Sequence, residues 1–130
     1  MLFARSVLEI DAYVLDVLLP DLVGHDKQPS AFIVYVCLYG CAERARWRPV
    51  AASLRDLATR TALSKSAIQA ALENLRRREL IRTKHAHPTA TPLHSVLRPW
   101  RARWRPRKNS KLEIRMYPLL PVPAAVSKKI

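Results

Sequence analysis

The sequence predicts a mainly helical α/β fold, with a three-helix core and a two- to three-stranded antiparallel wing attached to a helix-turn-helix. Three observations predict it. Between Ser53 and Ile81 the run SLRDLATRTALSKSAIQAALENLRRRELI contains two short amphipathic segments separated by a tight bend. The strand-like ELIRTKH follows the second segment almost at once. A broad apolar helix, PSAFIVYVCLYGCAER, precedes the first. At 130 residues the chain has room for one ordinary domain with extensions. We divide it into a lead-in or dimerisation arm (1–22), the winged helix-turn-helix (23–98) and a basic, Pro-rich C-terminal extension (99–130).

Taken in order, Ser6 to Leu19 is amphipathic in either period, so an extended lead-in and a helix both remain open. Val7, Ile10, Val14, Val17 and Leu18 would share one helix face. The stretch DLVGHDKQPS that follows has the Gly, Pro and polar content of a turn. A buried helix is expected from Pro29, which suits a first turn, with Asp26 as its cap. Phe32, Ile33, Val36, Leu38 and Tyr39 are expected to supply its apolar surface. The link RARWRPVAA then places Trp47 over the core and has room for a short first strand.

Ser53 caps the next helix, expected from about Leu54 to Arg60, and Asp56 stands where a carboxylate meets free backbone N–H groups. Leu54, Leu57 and Ala58 face inward. Thr61-Ala62-Leu63 is the bend, with Leu63 turned in, and Ser64 caps a second helix reaching roughly Arg78. Ile68, Ala71, Leu72 and Leu75 form its buried stripe. That leaves Ser64, Lys65, Ser66, Gln69, Ala70 and Glu73 on the outer face, early enough in the helix to enter a major groove. Gln69 suits an adenine, and Glu73 can accept from a cytosine amino group. Ser64, Lys65 and Ser66 suit a phosphate or base near the helix start. Arg76, Arg77 and Arg78 close the helix, where positive charge complements the dipole and can hold a phosphate. Leu80 to Lys84 and Leu93 to Leu97 are expected to be paired strands, with HAHPTATP as the wing tip.

The pattern LxxLAxxTALSxSAIxxALxxLxxxxLI, from Leu54 to Ile81, resembles the winged helix-turn-helix of bacterial transcription regulators and plasmid or phage replication initiators. Ala58, Leu63, Ile68 and Ala71 match the core positions of that family. The resemblance implies duplex DNA as ligand and Ser64, Lys65, Ser66, Gln69, Ala70 and Glu73 as the DNA-facing positions. Two departures stand out. The family often has Gly where this chain has Ala62 and Glu79. At Glu79 the Cβ argues against a left-handed helix cap.

Charge agrees with a polyanionic partner. The formal net charge is +13. From Arg76 onward there are 15 Lys or Arg against 2 acids, whereas Met1 to Leu75 carries 8 of each and is neutral. Nucleic-acid contact is therefore expected at the helix end, in the wing at Lys84, and in the run RPWRARWRPRKNSK. In that run Arg98, Arg101, Arg103, Arg105, Arg107 and Lys108 can follow a backbone or enter a minor groove. Interleaved Trp100 and Trp104 could instead stack on unpaired bases, which keeps RNA or single-stranded DNA as an alternative. Trp100 has a competing duty, folding back on the core.

Other chemistry is poorly supported. His85, His87 and His94 lack the H-x3-5-H spacing of a structural zinc site, and Cys37 with Cys41 four residues on are expected as buried free cysteines, so no metal and no cofactor is expected. Two cysteines make no disulfide framework. With only Gly24 and Gly40 there is no Gly-rich phosphate loop, and no paired carboxylates or activated nucleophile argue for an enzyme. No export signal or membrane span is evident, so a cytoplasmic, nucleoid-associated protein, possible as a homodimer, is the expectation.

Overall fold

A computed structural model describes residues 7–103. Two π-helical turns, Val14–Leu18 and Asp21–His25, come first. They are followed by α1 (Pro29–Arg44), β1 (Val50–Ala51), α2 (Leu54–Thr61) and α3 (Lys65–Arg77). Strands β2 (Ile81–Lys84) and β3 (Leu93–Val96) and the short α4 (Pro99–Arg103) complete the described chain. It is mainly helical, with one small antiparallel sheet in the order β1-β3-β2. Val50 pairs with His94 on one side of β3, and Ile81 to Lys84 pair with Val96 to Leu93 on the other.

The N-terminal segment settles the open choice in favour of helix from residue 12 on. Val14, Leu18 and Leu22, spaced by four, are buried. That spacing exceeds the 3.6 of an α-helix and suits a wider π turn, with Asp26 N–H reaching back five residues to Asp21 C=O at 2.9 Å. Asp21–His25 is thus helical, where a turn was expected. Val7 and Ile10 lie before the helix and are exposed.

Helix α1 begins at Pro29, preceded by Gln28 at the N-cap position with no side-chain cap. Asp26 does not cap it; its carboxylate serves the C-terminal end of α3 instead. The buried face of α1 is Ala31, Val34, Tyr35, Leu38, Tyr39 and Ala42, following i, i+3, i+4 and i+7 from Ala31. Ile33, expected inside, falls off that stripe and is exposed, while Phe32 and Val36 are half-buried. Tyr35 donates its hydroxyl hydrogen to Leu97 C=O at 2.8 Å, tying α1 to the chain leaving β3.

Both later helices are capped as the sequence predicts. Ser53 Oγ accepts from Asp56 N–H at 3.1 Å and Asp56 Oδ2 accepts from Ser53 N–H at 2.9 Å, a reciprocal capping box. Ser64 Oγ accepts from Ala67 N–H at 3.1 Å. The bend between them holds Ala62 at φ 64°, with Leu63 packed on the core.

Glu79 also lies at positive φ, 58°, contrary to expectation. Leu80 N–H bonds Leu75 C=O at 2.9 Å and Glu79 N–H bonds Arg76 C=O at 3.0 Å. This is the bonding of a Schellman ending with a non-glycine residue in the left-handed position. The ending turns Leu80 and Ile81 inward, and both are buried. Their burial outweighs the cost of about 1 to 2 kcal/mol that a Cβ incurs there.

One core collects Val14, Leu18 and Leu22 with the inner faces of α1, α2 and α3, the sheet, and Trp100. The boundaries drawn at 22/23 and 98/99 therefore do not divide the packing. Trp100 folds back, 3% exposed, and stacks on Tyr13 at 4.7 Å between ring centroids.

Candidate nucleic-acid interface

Helix α3 is docked through Ile68, Ala71, Leu72, Asn74 and Leu75. The opposite face carries Ser64, Lys65, Ser66, Gln69, Ala70 and Glu73, and all six are exposed. The structure thus brings together the whole set that the sequence placed on the outer face. Ser64 is committed to the helix start and shares a 3.3 Å contact with Ser66 Oγ. Arg76 and Arg77 extend the face to the last turn, both exposed.

Arg76 links this face to the sheet. Its Nη1 donates to Thr83 Oγ1 at 3.1 Å, and Thr83 Oγ1 lies 3.0 Å from His94 Nδ1. His94 Nε2 in turn lies 3.2 Å from Ala52 C=O. Since that carbonyl can only accept, Nε2 carries the proton and Nδ1 accepts from the Thr83 hydroxyl. The ring is 1% exposed, and burial, chiefly, keeps its pKa below the usual 6.5; the bond to Ala52 opposes this and the positive charge of Arg76 adds to it. A neutral histidine therefore ties α3, β2 and β3 to Ala52 in the link between β1 and α2. On β2, Arg82 and Lys84 are exposed. In the connecting tip His87 Nδ1 and Thr89 Oγ1 lie 3.0 Å apart.

The remaining predicted cations divide. Arg78, expected to be available to a phosphate, is instead held by Asp26, from Nε to Oδ2 at 3.0 Å, and by Asp21. Asn74, 1% exposed, donates Nδ2 to the same Asp26 oxygen at 3.1 Å and accepts from Arg77. Burial raises the Asp26 pKa, but bonds from His25, Asn74 and Arg78 outweigh it and hold the carboxyl below its usual range. Asp21, His25 and Asp26 bring ligand-type atoms within 4.8 Å of one another, yet both carboxylates are engaged by Arg78.

Arg98 is half-buried with its guanidinium 3.5 Å from the centroid of the Trp47 ring, a cation–π contact, and Trp47 meets Tyr39 edge-on at 4.9 Å. Arg101 forms a two-pronged pair with Asp11, Nε to Oδ2 and Nη2 to Oδ1, both 2.7 Å. Trp100 Nε1 donates to Asp11 Oδ2 at 2.8 Å. The Arg103 side chain and Arg105, Arg107 and Lys108 lie outside the described residues, as does Trp104.

Sequence reasoning passed over Asp11, Asn74 and the buried role of His94. Asn74 left a signal, standing three residues after Ala71 and one before Leu75 on the buried stripe. Asp11 left none, because its partners are 89 and 90 residues away. Among the described residues no helix is long and apolar enough to cross a membrane. No family model, no curated protein and no solved structure matches the chain.

Proposed function

We propose that this is a winged helix-turn-helix protein that binds double-stranded DNA sequence-specifically, as a small transcription regulator or replication-initiator-like protein. In this reading α3 lies in the major groove, the β2–β3 hairpin is the wing, and Arg82 and Lys84 meet the phosphate backbone. The observation that carries the reading is the uncommitted outer face of α3: Lys65, Gln69, Ala70 and Glu73 are exposed on a capped 13-residue helix whose other face is buried. Support also comes from the order α1-β1-α2-α3-β2-β3 and from β3 lying between β1 and β2.

The test is selection from a random duplex library with single-stranded DNA and RNA competitors, at about 0.15 M salt to screen non-specific attraction. A defined duplex motif is the expected result, and a palindromic one would mean that two copies bind together. Preferential retention of the single-stranded competitors, or salt-sensitive binding without a motif, would overturn the reading.

A further inference from the structure

A cleft of about 620 Å³ opens between α1, β1 and α2. Its lining includes Cys41 and Arg44 from α1 and Arg55, Asp56 and Arg60 from α2. Among the described residues none of the three arginines forms an ion pair. The single lining carboxylate, Asp56, is occupied in the capping box with Ser53. The cleft is therefore electropositive.

The thiol inside it is not ordinary. Cys37 and Cys41 are one helical turn apart on α1 and both are half-buried. A hydrogen bond from Cys37 is the largest influence on Cys41; burial opposes it, and Arg60 and Arg44 add to it, so the Cys41 pKa falls to about 6. Its neighbour Cys37 is pushed the other way, by Cys41 and by desolvation, with Arg60 opposing. Cys41 thus lines a partly exposed cleft beside three arginines, the basic setting that favours the thiolate form and makes cysteines reactive. Residues four apart on a helix have Cβ atoms about 5–6 Å apart, whereas a disulfide needs about 3.5–4.5 Å. An exchange partner must come from solution, and the arginines select its charge.

We propose that Cys41 is a modification site that forms mixed disulfides with anionic low-molecular-weight disulfides bound in this cleft. The Cys41 sulfur attacks one sulfur of the bound disulfide, a new S–S bond forms as the old one breaks, and the departing thiolate carries off the electron pair and takes a proton from water. The carboxylates of the bound molecule face Arg44, Arg55 and Arg60. The inference is independent of any nucleic-acid role.

The experiment compares two reagents on the full chain, the dianionic 5,5′-dithiobis(2-nitrobenzoate) and the uncharged 2,2′-dithiodipyridine, with the modified residue identified by peptide mass mapping. Cys41 is expected to react first. Its rate ratio, anionic over uncharged, should exceed that of free N-acetylcysteine by roughly tenfold, the low end of electrostatic focusing in a charged cleft. The ratio should collapse toward that of the free thiol at about 1 M salt, which needs no mutation, and in an Arg44→Gln, Arg60→Gln variant. First reaction at Cys37, or a ratio equal to that of the free thiol and indifferent to salt, overturns the proposal.

Discussion

Replacing Asp11 with Ala asks whether the N-terminal segment and the first turn of the basic C-terminal run hold one another in place. One carboxylate takes three donors, Trp100 Nε1 at 2.8 Å and two nitrogens of Arg101 at 2.7 Å each. Trp100 is 3% exposed, so its indole N–H has no water to replace the lost acceptor. A buried donor left without a partner costs about 1–3 kcal/mol. The arginine side chain is 55% exposed, and a pair screened to that degree contributes about 0–1 kcal/mol. Asp11→Ala should therefore destabilise by about 1–4 kcal/mol, the sum of both ranges. Asp11→Asn keeps an oxygen for the indole and loses only the charge, so about 1 kcal/mol or less is expected. For a domain of this size 1 kcal/mol moves Tm by about 4–8 °C, which makes the two variants easy to separate by thermal and urea denaturation.

Equal losses in the two variants would refute the reasoning, because the indole donor would then not be the larger contribution. Losses within about 0.5 kcal/mol of zero, the ordinary range for surface changes, would show that the latch holds nothing. A pH series adds an independent check. The Arg101 hydrogen bond, against burial and helped by Trp100, holds the Asp11 pKa below 3.8. Its stabilising contribution is therefore complete above the unfolded value and is lost as pH falls through the lowered folded value. The difference between wild type and Asp11→Ala should stay constant at neutral pH and narrow only below about pH 4.

Three further outcomes are expected. Glu79→Gly removes a Cβ from φ 58° and should raise stability by about 0.5–1 kcal/mol in urea denaturation, after the extra freedom of glycine in the unfolded chain is deducted; a loss would mean that the Glu79 side chain makes a stabilising contribution of its own. His94 has a lowered folded pKa, so its own contribution to stability should be constant above about pH 6.5 and be lost below it by up to about 1.4 kcal/mol per pH unit, a slope that should remain when the His94→Gln pH profile is subtracted from that of wild type. Gln69→Ala should cost about 1–3 kcal/mol of discrimination at one base position in binding titrations, with non-specific affinity unchanged, if α3 reads bases as proposed.

The helices of the central motif were legible because their information is local. Ser53 and Asp56 announce one start and Ser64 the next, and Ile68, Ala71, Leu72 and Leu75 repeat at helical intervals. The π turns were not legible, since Pro20 and Gly24 suggest a loop and Val14, Leu18 and Leu22, at i, i+4 and i+8, fit an ordinary α-helix as well as a π turn. Glu79 misled for a different reason. Its local preference is overridden by the burial of Leu80 and Ile81 just beyond it, a gain visible only once α3 and the sheet have met. Of the candidate site, exposure on α3 followed from periodicity. The occupation of Arg78, Arg98 and Arg101 did not, because each depends on a partner far away in sequence.

Those occupied arginines bear on the choice between the proposed duplex mode and a single-stranded one. A single-stranded mode built on the tail would use Trp100 and Trp104 as stacking platforms with the basic residues from Arg98 to Lys108 on the backbone, and of these the side chains of Trp100, Arg98 and Arg101 lie among the described residues. Presenting Trp100 to a base means removing a 3% exposed indole from the core and from Tyr13, and freeing its N–H from Asp11. Stacking of one base returns about 1–3 kcal/mol, no more than the cost of leaving a buried donor unpaired, before any loss of apolar burial is counted. Freeing Arg98 also uncovers Trp47, and freeing Arg101 leaves Asp11 without its pair. The outer face of α3 and the exposed Arg82 and Lys84 of β2 require no such rearrangement. For the described residues the balance of costs therefore supports the proposed duplex mode, through α3 and the hairpin, over one that draws on Trp100, Arg98 and Arg101, which instead clasp the chain to the core.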